Sequence, residues 1–543
     1  MVEEIDTRDS LYPIPSHPPS HLSPYRLAGI DHVSDLVLLK CLKDNNKRWH
    51  CFFNDKHFHN HATHHLLAIY ALGAPGPLIE AAYETHVGYQ QPVVKSPEPI
   101  DEHNFNKHLG DDKYYHAYLE FFNSTLLEKG IPATLQEYIF SPRANIDPAI
   151  SETDVDRHPQ MLNRLLAGLF HPFIHAGYGV EFGLPGQLAE GLAMTAVHDA
   201  TSNVHVPFSL FATGLKNLAS NAPATVIGAV SRLTSMFPSL SLGSVMSSVK
   251  TQTGVLKEDV DFFTIMTKVL SDSRFSPATL FPTRGPNFGE ADYLSTVLDK
   301  CGEELRVYAE EWLPTQNVSE VVYTDEHLLK KMEEMIWMNV VIFGIGGWGQ
   351  DKPFNADFLL MHLVTSAIFL PTYLAPSVLP MRSRVLLLHT YFSTSLATWV
   401  GRGRPRLSMR AFMRLTNPHV VPPGAMPEPA KDTLPPHDKL LKLTPDTWLA
   451  IVQSTLVHPD EHLCKIQRAL FHYSTLYGNR PKGYWKPKGK GPDDIGEDRP
   501  TLEGIEDLDG TVFARVAGLT ANSLGWMREG KEQGKWRFDG FFE

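Results

Sequence analysis

Histidines at helical spacing are the residues of this sequence whose types and positions suggest chemistry. The chain has 543 residues, of which 26 are His. The densest run, HFHNHATHH at 57–65, leads into the apolar stretch LLAIYALG. Residues four apart in a helix lie on one face, about 6 Å from each other. His61 and His65 could therefore bind one metal ion together, with His64 beside them.

A second pair, His171 and His175, has the same spacing at the end of an apolar helical segment. His198 follows downstream, and His362 lies in a helical segment without charged residues. Imidazole is a good ligand for Zn, Cu, Fe and Ni, and several buried imidazoles without a ligand would leave many polar nitrogens to satisfy. The pattern favours one metal ion bound by histidines from three or four helices. Hydrogen-bonded core histidines are the alternative interpretation.

A third histidine motif, HPDEH, occupies residues 458–462. Proline favours the first position of a helix, so a helix that begins at Pro459 would leave His458 at its cap and off the helical face. We therefore expect His458 and His462 to have a structural or substrate-lining role.

The composition argues against several classes of protein and partner. The chain carries 49 Lys and Arg against 61 Asp and Glu, a formal charge of −12. This acidic balance, without a basic stripe interleaved with aromatic residues, argues against a nucleic-acid partner. The four cysteines are too irregularly spaced for a disulfide framework or a CxxC metal site, and the acidic start of the chain is unlike a secretory signal. We expect a cytoplasmic protein.

The apolar residues recur at intervals of three and four over long segments, such as 162–170, 327–343 and 384–400, and strand-like alternation is scarce. This periodicity predicts a mainly α protein, with a single large, bundle-like helical domain, long loops and a buried site lined by His. Proline-rich stretches divide the chain. We expect an extended Pro/Ser/His-rich surface arm at 1–25, a helical catalytic domain at 26–416, a Pro-rich surface linker at 417–439, and a C-terminal helical segment at 440–543 that packs on the same domain.

The stretch from Phe358 to Met381 contains no charged residue and is long enough to cross a membrane. It also contains three prolines, at 371, 376 and 380, which a continuous span does not accommodate well. We predict a buried core helix followed by a proline-rich loop, and no membrane span. The HxxHH and HxxxH spacings at 61–65 and 171–175 also resemble the histidine boxes of membrane desaturases, but those enzymes need several spans.

A literal GxGxxG occurs at Gly344–Gly349, after the apolar run 340–343. In a dinucleotide-binding fold these glycines open a helix, and an acidic residue about twenty positions later holds the ribose. Here the glycines lead into QDKPFN, and residues 358–381 contain no acid. We predict a glycine-rich turn in a helical protein rather than a flavin or nicotinamide site.

Four segments together resemble the questin oxidase-like family of fungal polyketide tailoring enzymes. They are FHNHATHHLLAIYALGAPGPLIEAAY at 58–83, LLAGLFHPFIHAGYGVEFGLPGQLAEGLAMTAVH at 165–198, DFLLMHLVTSAIFLP at 357–371 and HPDEHLCKIQRAL at 458–470. The resemblance implies a mainly helical oxidoreductase of fungal secondary metabolism. Such an enzyme would use O2 to cleave or expand a ring of an anthraquinone or related aromatic polyketide, in a Baeyer–Villiger type oxidation with a monooxygenase or dioxygenase outcome.

The resemblance leaves the cofactor open between NADPH and a non-haem iron site built on His. We favour Fe(2+), because the imidazole clusters are convincing and a metal can carry O2 chemistry that side chains cannot. NADPH is a possible electron donor in that case. A flavin- or NADPH-dependent Baeyer–Villiger monooxygenase and a non-catalytic helical protein that binds flat aromatic ligands remain the alternatives.

The resemblance also assigns roles to individual residues. The expected metal ligands are His65, His175, His198 and His362, with His61 and His171 as groups that orient them or as further ligands. The candidates for proton transfer are His64, Tyr178 and Glu181. The chain departs from the family at one point: Ala375 stands where some relatives carry a lysine shortly after the third segment. That difference would alter or open the coordination sphere if the lysine contributes to it.

Overall fold

The computed structural model describes residues 7–147, 149–151, 153–211, 260–282, 290–315, 323–434, 437–486 and 502–542. The first six residues of the expected arm, residues 435–436 of the expected linker and residues 487–501 of the C-terminal segment lie outside this description.

The prediction of a mainly α-helical protein is confirmed. In the described residues, β-structure is limited to isolated bridges such as Phe52 with His59. The helices are α1 Thr7–Leu11, α2 His32–Arg48, α3 Ala62–Ala71, α4 Gly76–Val87, α5 Tyr115–Leu135, α6 Met161–Phe182, α7 Pro185–Val197, α8 Phe262–Ser271, α9 Pro277–Leu280, α10 Glu290–Trp312, α11 Asp325–Val340, α12 Phe358–Ala367, α13 Leu370–Tyr373, α14 Met381–Gly401, α15 Met409–Leu415, α16 Lys439–Leu443, α17 Thr447–Leu456, α18 Glu461–Tyr477 and α19 Val512–Leu524.

Helices α3, α6, α12 and α18 surround the centre of the molecule. Helix α6 packs against α3, α7 and α12, while α18 packs against α3, α12 and α19. Helices α6 and α7 approach each other through glycine: a Cβ on Gly179 or Gly191 would overlap the backbone of the facing helix. This close approach holds the middle of α6 in place, and His171 and His175 lie there.

The uncharged stretch that begins at Phe358 forms a buried helix, as predicted. Helix α12 has only ten residues, begins at the N-cap Asp357, and is followed by the short helix α13. The Asp357 carboxylate accepts hydrogen bonds from the amides of Leu359 and Leu360 and pairs with the buried guanidinium of Arg402 at 2.6 Å. Among the described helices, none combines the length and the apolar character that crossing a bilayer requires.

The beginning of the segment expected as an extended surface arm packs on the core, whereas most of residues 13–22 are non-helical and exposed. It contains α1, and the side chain of Tyr12 is only 1% exposed, against Gly186 at the start of α7. The Tyr12 hydroxyl donates a hydrogen bond of 2.7 Å to Glu190. Burial of an aromatic ring is favourable when its hydroxyl finds a partner, and both conditions hold for Tyr12.

The GxGxxG motif continues a helix. A π-helical turn, Val341–Ile345, follows α11 directly, and the glycines then form a turn. A Cβ on Gly344 would overlap the side chain of Val516, and one on Gly347 would lie 2.5 Å from the carbonyl oxygen of Asn355. These glycines permit close packing, and no strand precedes them as the dinucleotide-binding fingerprint requires.

Candidate metal centre

Two pairs of histidines connect α3 to α6, and we call them the first and second rungs. In the first rung, His61 Nε2 lies 2.8 Å from His171 Nε2. In the second, His64 Nε2 lies 3.0 Å from His175 Nδ1. All four rings are buried. The rungs arise because His61 and His64 begin α3 while His171 and His175 occupy adjacent turns of α6.

The first rung has an unusual arrangement of ring protons. The Nδ1 atom of His61 lies 3.2 Å from a carboxylate oxygen of Glu461, and the Nδ1 atom of His171 lies 2.5 Å from the carbonyl oxygen of Gly168. Because these acceptors have no proton to give, both Nδ1 atoms must donate. Burial lowers the pKa of His61 and of His171 well below 6.5, so both rings are neutral at pH 7. Two Nε2 lone pairs therefore face each other.

A metal ion would resolve that repulsion. Two ligand nitrogens at about 2.0–2.1 Å from one metal and at a right angle are about 2.9 Å apart, close to the separation across the first rung. A carboxylate and a backbone carbonyl accept from the two Nδ1 atoms, and metal-binding imidazoles commonly have such partners. The first rung thus has the chemistry of two ligands of one ion.

The backbone before His171 has a left-handed conformation that residues other than glycine rarely adopt. Gly168, Leu169 and Phe170 have φ values of 52°, 55° and 64°, which interrupts α6. Left-handed backbone at two residues other than glycine costs energy and persists only where the surroundings enforce it. The bend brings the Gly168 carbonyl onto His171 Nδ1 and so fixes the direction of Nε2.

Helix α18 supplies a third imidazole. One ring nitrogen from each of His61, His171 and His462 lies within 4.8 Å of the others. The Nδ1 atom of His462 is 3.3 Å from the Glu461 oxygen that also contacts His61, and its Nε2 atom is buried without a hydrogen-bond partner in the described part of the chain. Glu461 thus orients two rings of the group.

A fourth imidazole, His362 from α12, borders this group. Its ring centroid lies 4.8 Å from that of His171 and 5.4 Å from that of His462. The Nδ1 atom donates to the carbonyl oxygen of Phe358 at 2.8 Å, and Nε2 is buried with no partner among the described residues. We call His61, His171, His362 and His462 the open group. Their orphaned nitrogens fit a divalent transition metal.

The second rung differs because a proton lies between its two facing nitrogens and protein groups occupy both ring nitrogens of His175. The Nε2 atom of His175 lies 3.0 Å from a carboxylate oxygen of Glu190, which also accepts hydrogen bonds from Tyr12, Asn45 and Asn46. His175 Nε2 therefore donates to Glu190, and His175 Nδ1 accepts from His64. This leaves a lone pair on His64 Nδ1, which is buried and has no partner in the described residues.

The other predicted metal ligands have contacts elsewhere. The Nδ1 atom of His65 lies 3.0 Å from Nε2 of His86, whose Nδ1 atom is 2.5 Å from the hydroxyl of Tyr89. His198 stacks on His59 at 5.3 Å and contacts the carbonyl oxygen of Asp199. Helical spacing did not bring His61 and His65 to one point, because His61 is the N-cap of α3 with non-helical backbone and its ring points toward α6.

The predicted proton-transfer residues lie beside the second rung. Tyr178 stacks on His64 with a centroid distance of 5.4 Å. Glu181 forms a buried ion pair with Arg468, whose guanidinium lies over the ring of Tyr178. Ala375 is buried in the turn after α13, and none of its described contacts joins it to the open group.

His462 was expected to be structural or to line the substrate site, because the helix was expected to begin at Pro459. The observed helix begins two residues later. The helix begins at Glu461, and Asp460 is the N-cap, since its carboxylate accepts hydrogen bonds from the amides of His462 and Leu463. An aspartate cap competes successfully with proline at the first helical position. His462 then lies in the first turn, beside Glu461, and faces α3. The Asp-Glu pair in HPDEH was the available signal.

Known proteins are similar to this chain over most of its length. The sequence pattern of the questin oxidase-like family matches residues 58–470. The Baeyer-Villiger monooxygenase dmxR6 of Cryptosporiopsis sp. is 25% identical over 405 residues, 74% of this chain and 77% of that protein. The Baeyer-Villiger monooxygenase AacuH of Aspergillus aculeatus is 25% identical over 447 residues, 80% of this chain and 78% of that protein. The questin oxidase of Aspergillus terreus is 30% identical over 184 residues, 32% of this chain and 39% of that protein.

The matched range begins before the first rung and ends after His462, so it contains every residue of both rungs and of the open group. It also covers well over half of the chain. The chain therefore belongs to the questin oxidase-like family.

Proposed function

We propose that this protein is an O2-dependent oxidoreductase that cleaves or expands a ring of an anthraquinone-type aromatic polyketide at a metal bound by the open group. One observation carries the proposal: ring nitrogens from α3, α6 and α18 come within 4.8 Å of one another. His61, His171 and His462 would be the ligands, with His362 as the fourth imidazole. This set differs from the sequence-based choice of His65, His175 and His198, whose contacts lie elsewhere.

Iron is the metal that suits this donor set and the proposed reaction. Imidazole nitrogen binds Fe, Zn, Cu and Ni, and only a redox-active metal supplies the electron chemistry with O2 that side chains do not have. The chain's own contribution is to hold the rings. Glu461 accepts from His61 and contacts His462, while the Gly168 carbonyl fixes His171.

The second rung supports a role for His64 as proton acceptor. Glu190 and His175 fix the His64 tautomer, so that Nδ1 presents a lone pair. Burial lowers the pKa of His64 well below 6.5, so the ring is neutral at pH 7 and its Nδ1 lone pair would take up a proton only transiently. Tyr178 stacks on His64 and would hold the plane of its ring, since Nδ1 of His64 has no hydrogen-bond partner in the described residues. Glu181 is held by Arg468, which favours a structural role for that carboxylate.

The relatives support the substrate class. Two are named Baeyer-Villiger monooxygenases and one questin oxidase, so oxygen insertion beside a carbonyl of a polyketide ring is the reaction we infer for this chain. Phe358 contacts the rings of both His362 and His462, and Phe538 packs on Phe358. Such aromatic faces are suited to a flat substrate. The electron donor would be the reduced hydroquinone form of the substrate or NADPH.

The test is metal analysis of the purified protein together with oxygen uptake in the presence of questin. We expect close to one equivalent of iron in the wild type. His61→Ala and His462→Ala should each retain less than about a tenth of an equivalent and lose oxygen uptake, because three-histidine sites tolerate the loss of a ligand poorly.

His472→Ala is the matched control, since His472 is a buried histidine on the same helix as His462 and bonds only to the carbonyl of Leu22 in the described structure. It should keep its iron. If the wild type and His462→Ala hold the same small amount of iron, the metal proposal is wrong. A yellow flavin spectrum in the purified protein would favour the flavin-dependent alternative.

A further inference from the structure

Residues 536–542, which we call the strap, contact the N-terminal ends of α12 and α18. The amide of Arg537 donates to the carbonyl of Ala356 at 2.9 Å, and the carbonyl of Arg537 accepts from the amide of Phe358 at 2.8 Å, on either side of the α12 N-cap. The Trp536 indole donates to the N-cap carboxylate of α18 at 3.0 Å. The strap therefore ties together two of the helices that supply imidazoles to the open group.

Arg402 fixes the backbone of the strap farther along. Its guanidinium donates to the carbonyl of Phe538 at 2.9 Å while it pairs with the buried carboxylate of Asp357. Its own carbonyl accepts a hydrogen bond of 2.9 Å from the amide of Phe541. Because hydrogen bonds hold the backbone at these points, a side chain is the part of the strap that moves at the least cost.

The ring of Phe538 is the outermost of a column of aromatic rings that leads from solvent to the open group. Phe538 is 50% exposed, and its ring centroid lies 4.8 Å from that of Phe358. The Phe358 centroid in turn lies 4.9 Å from that of His362 and 4.8 Å from that of His462. Each of the four imidazoles is less than 8% exposed. A substrate that reaches them has to pass a covering side chain, and here two rings separate two imidazoles from solvent.

The strap lies outside the part of the chain that matches the family. The family pattern ends at residue 470, and all four histidines of the open group lie within it. The pattern therefore does not determine which residue stands at position 538. A side chain at an entrance can differ while the imidazoles stay the same, which is a property expected of a residue that selects substrates.

We propose that Phe538 is a gate that determines the access of flat aromatic substrates to the open group. This inference rests on the proposed function for the class of substrate. The entrance is closed while the ring stacks on Phe358. When the ring turns away on the fixed strap, a planar ring system enters beside Phe358, and Phe538 closes again behind it. An aromatic pair favours the closed position by about threefold to tenfold, so entry and exit are slowed by the same factor and affinity is unchanged.

The experiment is stopped-flow mixing of the full-length protein with emodin, a flat trihydroxyanthraquinone, without oxygen and followed by quenching of tryptophan fluorescence. Phe538→Ala should raise the association and dissociation rate constants by about threefold to tenfold each and leave the dissociation constant within about twofold. Phe538→Trp should lower both rate constants, because a larger ring covers more of Phe358. The side chain is half exposed, so the melting temperatures of both variants should stay close to that of the wild type.

Phe58→Ala is the matched control. Phe58 is also 50% exposed and packs on an aromatic ring, Phe53, and among the described residues it has no ring contact with α12 or α18. Its removal should leave both rate constants unchanged. Unchanged rate constants in Phe538→Ala would overturn the proposal, and so would equal acceleration by Phe58→Ala. Weaker emodin binding by Phe538→Ala at an unchanged association rate would also overturn it, because that result identifies a binding contact.

A second probe separates this inference from the proposed function. 1,10-Phenanthroline is a flat three-ring chelator that removes Fe(II) as a red complex, so the concentration-dependent rate of colour formation measures access to the metal. Phe538→Ala should raise this rate by about threefold to tenfold.

The two probes together assign each failure to one hypothesis. Emodin rates that depend on position 538 in a protein without iron contradict only the metal site. Iron removal that depends on position 538, without emodin binding, contradicts only the anthraquinone substrate. Rates that do not depend on position 538, for whichever probe the protein takes up, contradict only the gate. A protein that takes up neither probe would overturn both hypotheses.

Discussion

The two rungs between α3 and α6 are built from the same residue type, one helical turn apart, and yet they differ in what remains to be bound. In the second rung, His175 donates to Glu190 and accepts from His64, so its two facing nitrogens are satisfied and only the outer Nδ1 atom of His64 has no partner in the described residues. In the first rung, carbonyl and carboxylate acceptors occupy both Nδ1 atoms and leave two Nε2 lone pairs 2.8 Å apart.

This difference shows that the partners of the ring nitrogens decide which histidines can bind a ligand. The residue type and the two helices that are joined are the same in both cases. A satisfied imidazole stabilises the fold and orients its neighbour, whereas a buried imidazole with an orphaned nitrogen needs a ligand to complete it. Four predictions test whether the two rungs are as different as their hydrogen bonds indicate.

The largest expected contrast comes from alanine at the two α6 positions. His171→Ala should lose its metal and reduce oxygen uptake by at least about a thousandfold, with little change in stability, because it removes a ligand whose lone pair faces another. His175→Ala should keep its metal but lower the free energy of unfolding by about 3 kcal/mol, since Glu190 loses a buried donor and a cavity remains. Metal analysis and urea unfolding measure the two effects. Equal metal loss in both variants would make the rungs equivalent.

The second expected effect concerns the carboxylate that ends the second rung. Glu190→Gln should lower the free energy of unfolding by about 3 kcal/mol. The NH2 group of the glutamine would face N–H or O–H donors that now donate to the carboxylate. The substitution should also lower the turnover rate by about tenfold to a hundredfold without loss of metal, since the His64 tautomer is no longer fixed.

Glu333→Gln is the control for Glu190→Gln, because Glu333 is also a buried carboxylate but pairs with Arg480 away from the rungs. We expect a loss of stability there with an unchanged rate per folded molecule. If both variants lose the same fraction of the rate, His64 does not depend on the second rung.

The third prediction concerns the carboxylate that orients the open group. Glu461→Gln should weaken metal binding by about tenfold to a hundredfold, the usual effect of removing a partner of a metal-binding histidine. Competition with a chelator of known affinity measures this change. Glu506→Gln, which alters an exposed carboxylate paired with Arg410, should have no effect. Unchanged affinity in Glu461→Gln would mean that His61 and His462 are held without it.

The smallest expected effect is at Tyr89, the last residue of the hydrogen-bonded series that runs from His65 through His86. Tyr89→Phe removes the hydroxyl next to His86 and should change stability by about 1 kcal/mol or less, because Tyr89 is partly exposed. Metal content should not change. A clear loss of iron in this variant would indicate that His65 is a metal ligand after all.

Much of the fold follows from local pattern. Apolar residues at intervals of three and four predicted the helices around His64, His175 and His362, and the prolines after Phe369 predicted the end of the uncharged helix. The glycine-rich motif was assigned to a turn because no acid followed at the required distance, and the structure gives it that form. These features depend on residues close to one another in the chain.

Which histidines face one another could not follow from local pattern. It depends on Glu461 reaching His61, a contact across 400 residues of sequence, and on the left-handed bend before His171. Likewise, only packing could reveal that Tyr12 and Glu190 close the second rung. Such contacts form between elements distant in the chain, and a single sequence contains no periodic signal for them.

The sequence by itself determined that this is a helical protein with buried histidines on several helices, because helix periodicity and residue type are local properties. Tertiary structure decided which histidines meet, since ring orientation depends on the caps of α3 and α18, the bend in α6 and the acceptors that each Nδ1 atom finds. The same packing left the Nε2 atoms of His362 and His462 buried without a hydrogen-bond partner in the part of the chain that the structure describes.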